Sequence, residues 1–246
     1  MTICNSLALS RNGARGFGRP SPAKIPGAYR AAPTRNDALA QPPARHTAVV
    51  FDIGNVFIEW DPRHLFAGMF DGQARAMEWF LANVCTPDWN REQDRGRSWR
   101  DAVASLRTIY PEWREEIESY DRRWHETAPR AFDQTVAIFE RLKAAGVPIY
   151  AITNFSHEKF AECRERFDFL GAFDGVIVSA TEGLLKPDPA IYQVLLSRYG
   201  LEPAACVFID DSHANVAAAR DLGMTALAFA DPHVLAEDLR RLGFEV

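Results

Sequence analysis

Cysteine is scarce and unpatterned. The four residues, Cys4, Cys85, Cys163 and Cys206, include no C-x-x-C pair, which excludes a zinc knuckle or a dense disulfide framework and makes a reducing, cytoplasmic setting the expectation. The six histidines form no cluster, so no zinc centre is expected. No apolar run reaches the roughly 18 residues that span a bilayer, and no membrane partner is expected. Positive charge is outweighed over most of the chain. Residues 1–45 hold seven basic groups against one acid, Asp37, so the overall net charge of −5 leaves −11 for residues 46–246. An acidic body lacks the basic face that meets phosphates, and no nucleic-acid partner is expected. No internal repeat is visible.

What is present is a globular composition, 47% hydrophobic and 25% charged over 246 residues, enough for one α/β core and a smaller accessory part. Residues 1–45 carry six prolines and four glycines with little apolar periodicity, and are expected to be a disordered extension. An Arg-rich start is compatible with an organelle transit segment, a solvated tail or an overlong translation start.

From Thr47 the pattern changes. Thr47 to Phe51 is an apolar run ending at Asp52, and similar runs cover Val147–Ile152, Gly175–Val178, Ala205–Ile209 and Thr225–Phe229. Helical periodicity lies between them, as in Val136, Phe139 and Leu142 before Gly146, or Ile191, Val194 and Leu195 between Asp188-Pro189 and Gly200. This alternation predicts an α/β fold: a Rossmann-like, doubly wound parallel sheet. One interval breaks it. Ala74–Val84, Ser98–Tyr110 and Pro111–His125 read as helices without a strand, which predicts a helical insertion at 62–129 within a core of 46–61 and 130–246. All six tryptophans fall in or beside that insertion. They either roof a substrate or fill the core of a small bundle.

In doubly wound sheets, ligands sit beyond the carboxyl ends of the strands. That rim is expected to collect Asp52 with Gly54-Asn55, Thr153-Asn154, Asp210-Asp211, and Lys186 from the loop after Val178. Each alone is as well explained by a turn, a cap or a solvated loop. Three converging carboxylates, however, repel one another by several kcal/mol at an effective dielectric of about 20. A cation is needed to hold them ionised, and oxygen-only ligands suit Mg²⁺.

With FDIGNV, ITN, GLLKPDPAIY and VFIDDSHAN in this order, the sequence resembles the haloacid dehalogenase superfamily of hydrolases over Thr47–Val246. The DIGN variant looks like a branch containing bacterial sugar-phosphate phosphatases and the phosphatase-like domain of mammalian epoxide hydrolase. The resemblance implies that the insertion is the family's helical C1 cap. It also implies that Asp52 attacks phosphorus to form an aspartyl-phosphate, that Thr153 holds phosphoryl oxygens, and that Lys186 neutralises charge. Mg²⁺ would lie between Asp52, the Gly54 carbonyl and Asp211, with Asp210 direct or through water. Gly54, Asn55, Asn154 and Arg95 join Thr153 and Lys186 as substrate-binding candidates, with Asp94, Gly96, Trp99 and His64 as further cap candidates. Ser212 is expected to cap the next helix and Asn215 to steady the metal loop.

The chain departs from the family's fullest pattern at Gly54, where a second Asp would serve as general acid and base. Its loss predicts slow turnover or a preference for good leaving groups, with Glu59 or Asp61 as sequence-adjacent substitutes. The expected reaction is hydrolysis of a small phosphomonoester, sugar phosphates among the candidates, by a monomer or homodimer. A metal-free 2-haloacid dehalogenase and a catalytically weak phospholigand-binding protein are the alternatives.

Overall fold

The computed structural model describes residues 46–246, and the segment 1–45 lies outside the described residues. Five parallel strands form the sheet: β1 (Ala48–Phe51), β2 (Ile149–Thr153), β3 (Gly175–Val178), β4 (Cys206–Asp210) and β5 (Thr225–Ala228), in the order β3-β2-β1-β4-β5. These are the five apolar runs of the sequence, with ends that agree within two residues.

Strand periodicity divides the core in two. Val49 and Phe51 pair with Ile149 and Ala151 on one side and with Val207 and Ile209 on the other, so their side chains share one face of the sheet. Ala48, Val50, Cys206 and Phe208 point to the opposite face. The first face is covered by α6 (Asp133–Ala144), α7 (His157–Arg166) and α11 (Pro232–Arg241), the second by α9 (Pro189–Tyr199) and α10 (His213–Asp221), while the single turn α8 (Ser179–Glu182) follows β3. With both faces covered, the strands carry apolar side chains on both faces, as a doubly wound sheet requires.

Between β1 and α6 run α1 (Arg63–Met69), α2 (Ala74–Asn83), α3 (Pro87–Asp94), α4 (Trp99–Ile109) and α5 (Arg114–Arg122). The stretch read as one helix from Pro111 to His125 is broken into a 3₁₀ turn, α5 and a second 3₁₀ turn. Polar caps set several helix starts: Thr86 accepts from Trp89 N at 3.0 Å, Ser98 from Asp101 N at 3.2 Å, and Ser156 from Lys159 N at 3.4 Å. Each such cap stabilises its helix by about 1 kcal/mol.

The tryptophans divide between the two expected roles. Trp113 stacks on Phe70 at 5.7 Å and packs on Phe80 at 5.3 Å inside the bundle, whereas Trp60, Trp99 and Trp124 line a cavity against the sheet. Polar contacts join the helices to the core there. Trp99 Nε1 donates to Ser156 Oγ at 2.8 Å, and buried Lys159 reaches Asp121 Oδ1 at 2.8 Å. Cys85, Cys163 and Cys206 are buried and unpaired. Among the described residues no helix is long and apolar enough to cross a membrane.

Candidate active site

From β1 the chain passes to β2 and β3 on one side, then returns past β1 to place β4 and β5 on the other. The crevice between the carboxyl ends of β1 and β4 is the switch point of the sheet. Asp52 follows β1 and Asp210 ends β4, so the strand order alone makes these two carboxylates neighbours.

Lys186 joins them. Its Nζ lies 2.8 Å from Asp52 Oδ1 and 2.7 Å from Asp210 Oδ2, with the lysine 4% exposed and Asp210 fully buried. Burial pulls the lysine ammonium down, but the two carboxylates outweigh it and raise its pKa. Asp210 is held from the other side, where Oδ1 accepts from Ser212 N at 2.8 Å and from Asn215 Nδ2 at 2.9 Å. Ser212 does not cap as expected: its side chain accepts nothing at the start of α10, and its contribution is its main-chain N–H, which donates to Asp210. Asn215 instead braces Asp210 directly.

Burial raises the Asp52 carboxyl to about 7, Lys186 opposes this, and Asp210 and Asp211 add to it. Burial and Asp210 likewise push Asp211 up. One oxygen from each of Asp52, Asp210 and Asp211 lies within 4.8 Å of the others. Three carboxylates share one ammonium, so the donor set is all oxygen and short of positive charge, which fits Mg²⁺.

A cavity of about 210 Å³ opens on this group. Asp52, Gly54, Asn55, Asn154 and Asp211 form its floor, with Trp60, Trp99, Trp124 and Phe155 among its walls. Asn55 adopts a left-handed φ of 53° and its Oδ1 accepts from Trp60 N at 2.9 Å, so it shapes the turn that delivers Trp60. Thr153 is buried at the end of β2. Asn154 pairs with the main chain of Lys186 through both ends of its amide, a positioning contact with no signature in sequence because the partners are 32 residues apart.

Arg95, Gly96, His64, Glu59 and Asp61 fall away from the cavity. Arg95 does not line the cavity: it is exposed and meets Glu92 at 3.6 Å, because the helix turn that points Asp94 inward points its neighbour out. Glu59 is taken by Arg130 at 2.6 Å and His64 at 3.2 Å, and Asp61 by Arg63 at 3.3 Å, and none of these lines the cavity.

An open parallel sheet with polar groups gathered at its switch point and a cavity above them is the architecture of a small-molecule enzyme. The sequence pattern of the haloacid dehalogenase-like hydrolases matches residues 46–223. The chain belongs to that family and is a hydrolase. It is similar to a sesquiterpene phosphatase of Aspergillus oryzae, 28% identical over 196 residues that cover 79% of this chain and 95% of the relative. A phosphorylated carbohydrates phosphatase of Thermotoga maritima is 25% identical over 184 residues, 72% of this chain and 82% of that one. Among solved structures, a HAD family enzyme of Bacteroides thetaiotaomicron in complex with magnesium and inorganic phosphate matches with a TM-score of 0.61 at 18% identity, covering 75% of this chain and 94% of its own. An L-2-haloacid dehalogenase also matches at 0.61 and 18%, covering 79% and 99%. At this identity the two structures speak for the fold alone.

Proposed function

We propose that the protein is a Mg²⁺-dependent phosphomonoesterase with a core of residues 46–61 and 130–246 and a helical cap of 62–129. The observation that carries this reading is Lys186 Nζ set 2.7–2.8 Å from both Asp52 and Asp210, with Asp52 and Asp211 lining a cavity. Asp52 attacks phosphorus and becomes an aspartyl-phosphate that water then hydrolyses, which divides one difficult displacement into two easier ones. Lys186 favours the ionised nucleophile and offsets charge on the phosphoryl oxygens, with Thr153 at the adjoining strand end supplying a hydroxyl donor. Asp52, Asp211 and the Gly54 carbonyl would hold Mg²⁺, and Asp210, whose oxygens already serve Lys186, Ser212 and Asn215, would join directly or through water. The metal supplies positive charge to the phosphoryl oxygens.

The walls bear on the alcohol. Ile58, Trp60, Trp99, Trp124 and Phe155 favour a leaving group with apolar or planar surface, which an apolar wall holds better than a polyhydroxylated one. The name of the Aspergillus relative points the same way, and that of the Thermotoga relative keeps sugar phosphates in the comparison.

Phosphate release from a panel of prenyl, aryl and sugar phosphates, with Mg²⁺ or EDTA and repeated on Asp52→Asn, tests the proposal. Release that needs Mg²⁺ and disappears in the variant is expected. Undiminished release by the variant, or halide release from a 2-haloacid in EDTA without any phosphatase activity, would overturn it.

A further inference from the structure

The reaction proposed above needs a proton for the departing alcohol, and Gly54 carries no side chain to give it. We propose that Asp94, at the C-terminal end of α3, is the proton donor to the leaving oxygen, an inference that rests on the phosphatase reading.

Three acids line the cavity: Asp52, Asp211 and Asp94. The first two are assigned to the nucleophile and the metal, which leaves Asp94. The other acids near in sequence, Glu59 and Asp61, are tied to Arg130 and Arg63 away from the cavity.

Asp94 is also held in place. Its main-chain oxygen accepts from Ser179 Oγ at 2.6 Å, and the same hydroxyl accepts from Phe155 N at 2.9 Å, which fixes the end of α3 to the loops after β2 and β3. One helical turn back, Asn90 Nδ2 lies 3.3 Å from Asp94 Oδ2. The buried Asn90 Oδ1 has no partner among the described residues, which suits a wall that a ligand completes.

The surroundings suit an acid that keeps its proton near neutrality. Burial raises the Asp94 carboxyl to about 7, Arg91 and the Ser156 main chain oppose this, and Asp52 adds to it. Arg91 is itself engaged by Asp88 at 3.0 Å, and the remaining titratable neighbour, Tyr120, is a buried phenol pushed well above its usual range, chiefly by desolvation.

In the first step an Asp52 oxygen bonds to phosphorus and the ester P–O bond breaks. The leaving oxygen takes the Asp94 proton, so a neutral alcohol departs and Asp94 becomes a carboxylate. In the second step that carboxylate takes a proton from the attacking water as the Asp52–phosphorus bond breaks. Asp94 is then protonated again, and Asp52 is free.

The test compares kcat/KM for nitrophenyl phosphate, whose leaving group needs no proton, with that for a simple alkyl phosphate, both with Mg²⁺. Because kcat/KM reports steps up to release of the first product, it isolates proton donation from the later hydrolysis. Asp94→Asn should lower the alkyl value by about 10²–10⁴-fold and the nitrophenyl value by less than about tenfold. Asp94→Glu should keep part of the alkyl activity, and the alkaline fall of the wild-type alkyl profile should be absent from the nitrophenyl profile. A folded Asp94→Asn protein that loses both activities alike, or neither, would overturn the assignment while the phosphatase reading stands. Wild-type protein inactive on both esters would overturn both. Should Asp94→Asn not fold, the wild-type pH profiles decide, and an alkyl profile without the alkaline fall refutes the role.

Discussion

Asn154 and Lys186 clasp each other: Asn154 Oδ1 accepts from Lys186 N at 2.8 Å while Asn154 Nδ2 donates to Lys186 O at 3.0 Å. An amide satisfied at both ends by one residue's main chain fixes where that residue's side chain starts. The Lys186 ammonium reaches Asp52 and Asp210 because Asn154, at the end of the neighbouring strand, holds its backbone there.

Asn154→Ala removes both contacts and leaves the Lys186 loop less well defined. We expect a loss of about 1–3 kcal/mol in stability and a fall in kcat of about 10²-fold through misplacement of the lysine. Urea denaturation and steady-state kinetics measure the two effects, and an unchanged kcat would show that the loop needs no such clasp.

Without a metal, Asp52 and Asp211 bind protons more tightly folded than unfolded, since burial and repulsion from Asp210 raise both. Folded pKa above unfolded pKa means that stability falls as pH rises between the two, for Asp52 from about 4 to about 7. Metal-free Asp52→Asn should therefore gain on wild type as pH is raised from about 5 to about 8. Mg²⁺ should raise the wild-type Tm more at the upper pH than at the lower, by mass action on the ionised site. Melting curves at both pH values check this, and an equal Mg²⁺ shift at each would contradict it.

A Cβ placed on Gly54 meets nothing within 4 Å, so a side chain can start there without a clash. In the Asp94→Asn background, Gly54→Asp should recover at least about tenfold in kcat/KM for an alkyl phosphate, a fraction of what general acid catalysis contributes. Kinetics on the two proteins side by side decide it.

Arg95 lies on the surface with Glu92, where an exposed pair is worth less than about 1 kcal/mol. Arg95→Ala should leave KM and kcat within about twofold, and Tm nearly unchanged. A large rise in KM would mean that the arginine swings inward when substrate binds.

The sequence by itself determined the elements and their polar ends. Apolar runs long enough only for strands, three of them closed by Asp52, Thr153 and Asp210, specify a buried parallel sheet with its chemistry at one rim, because backbone pairing and side-chain alternation are local rules. Caps were less legible: Ser212, expected to cap the next helix, makes no such contact, while Thr86, Ser98 and Ser156 do, because a capping side chain is common in turns as well. Tertiary structure decided which rim groups meet and which side chains face inward. Asn154 finds Lys186 and Trp99 finds Ser156 across 32 and 57 residues, and no local pattern encodes that distance. Asp94 and Arg95 are adjacent in the chain, yet one lines the cavity and the other faces solvent. Successive helical residues point about 100° apart, and only the way α3 lies against the sheet selects which of the two turns toward Asp52.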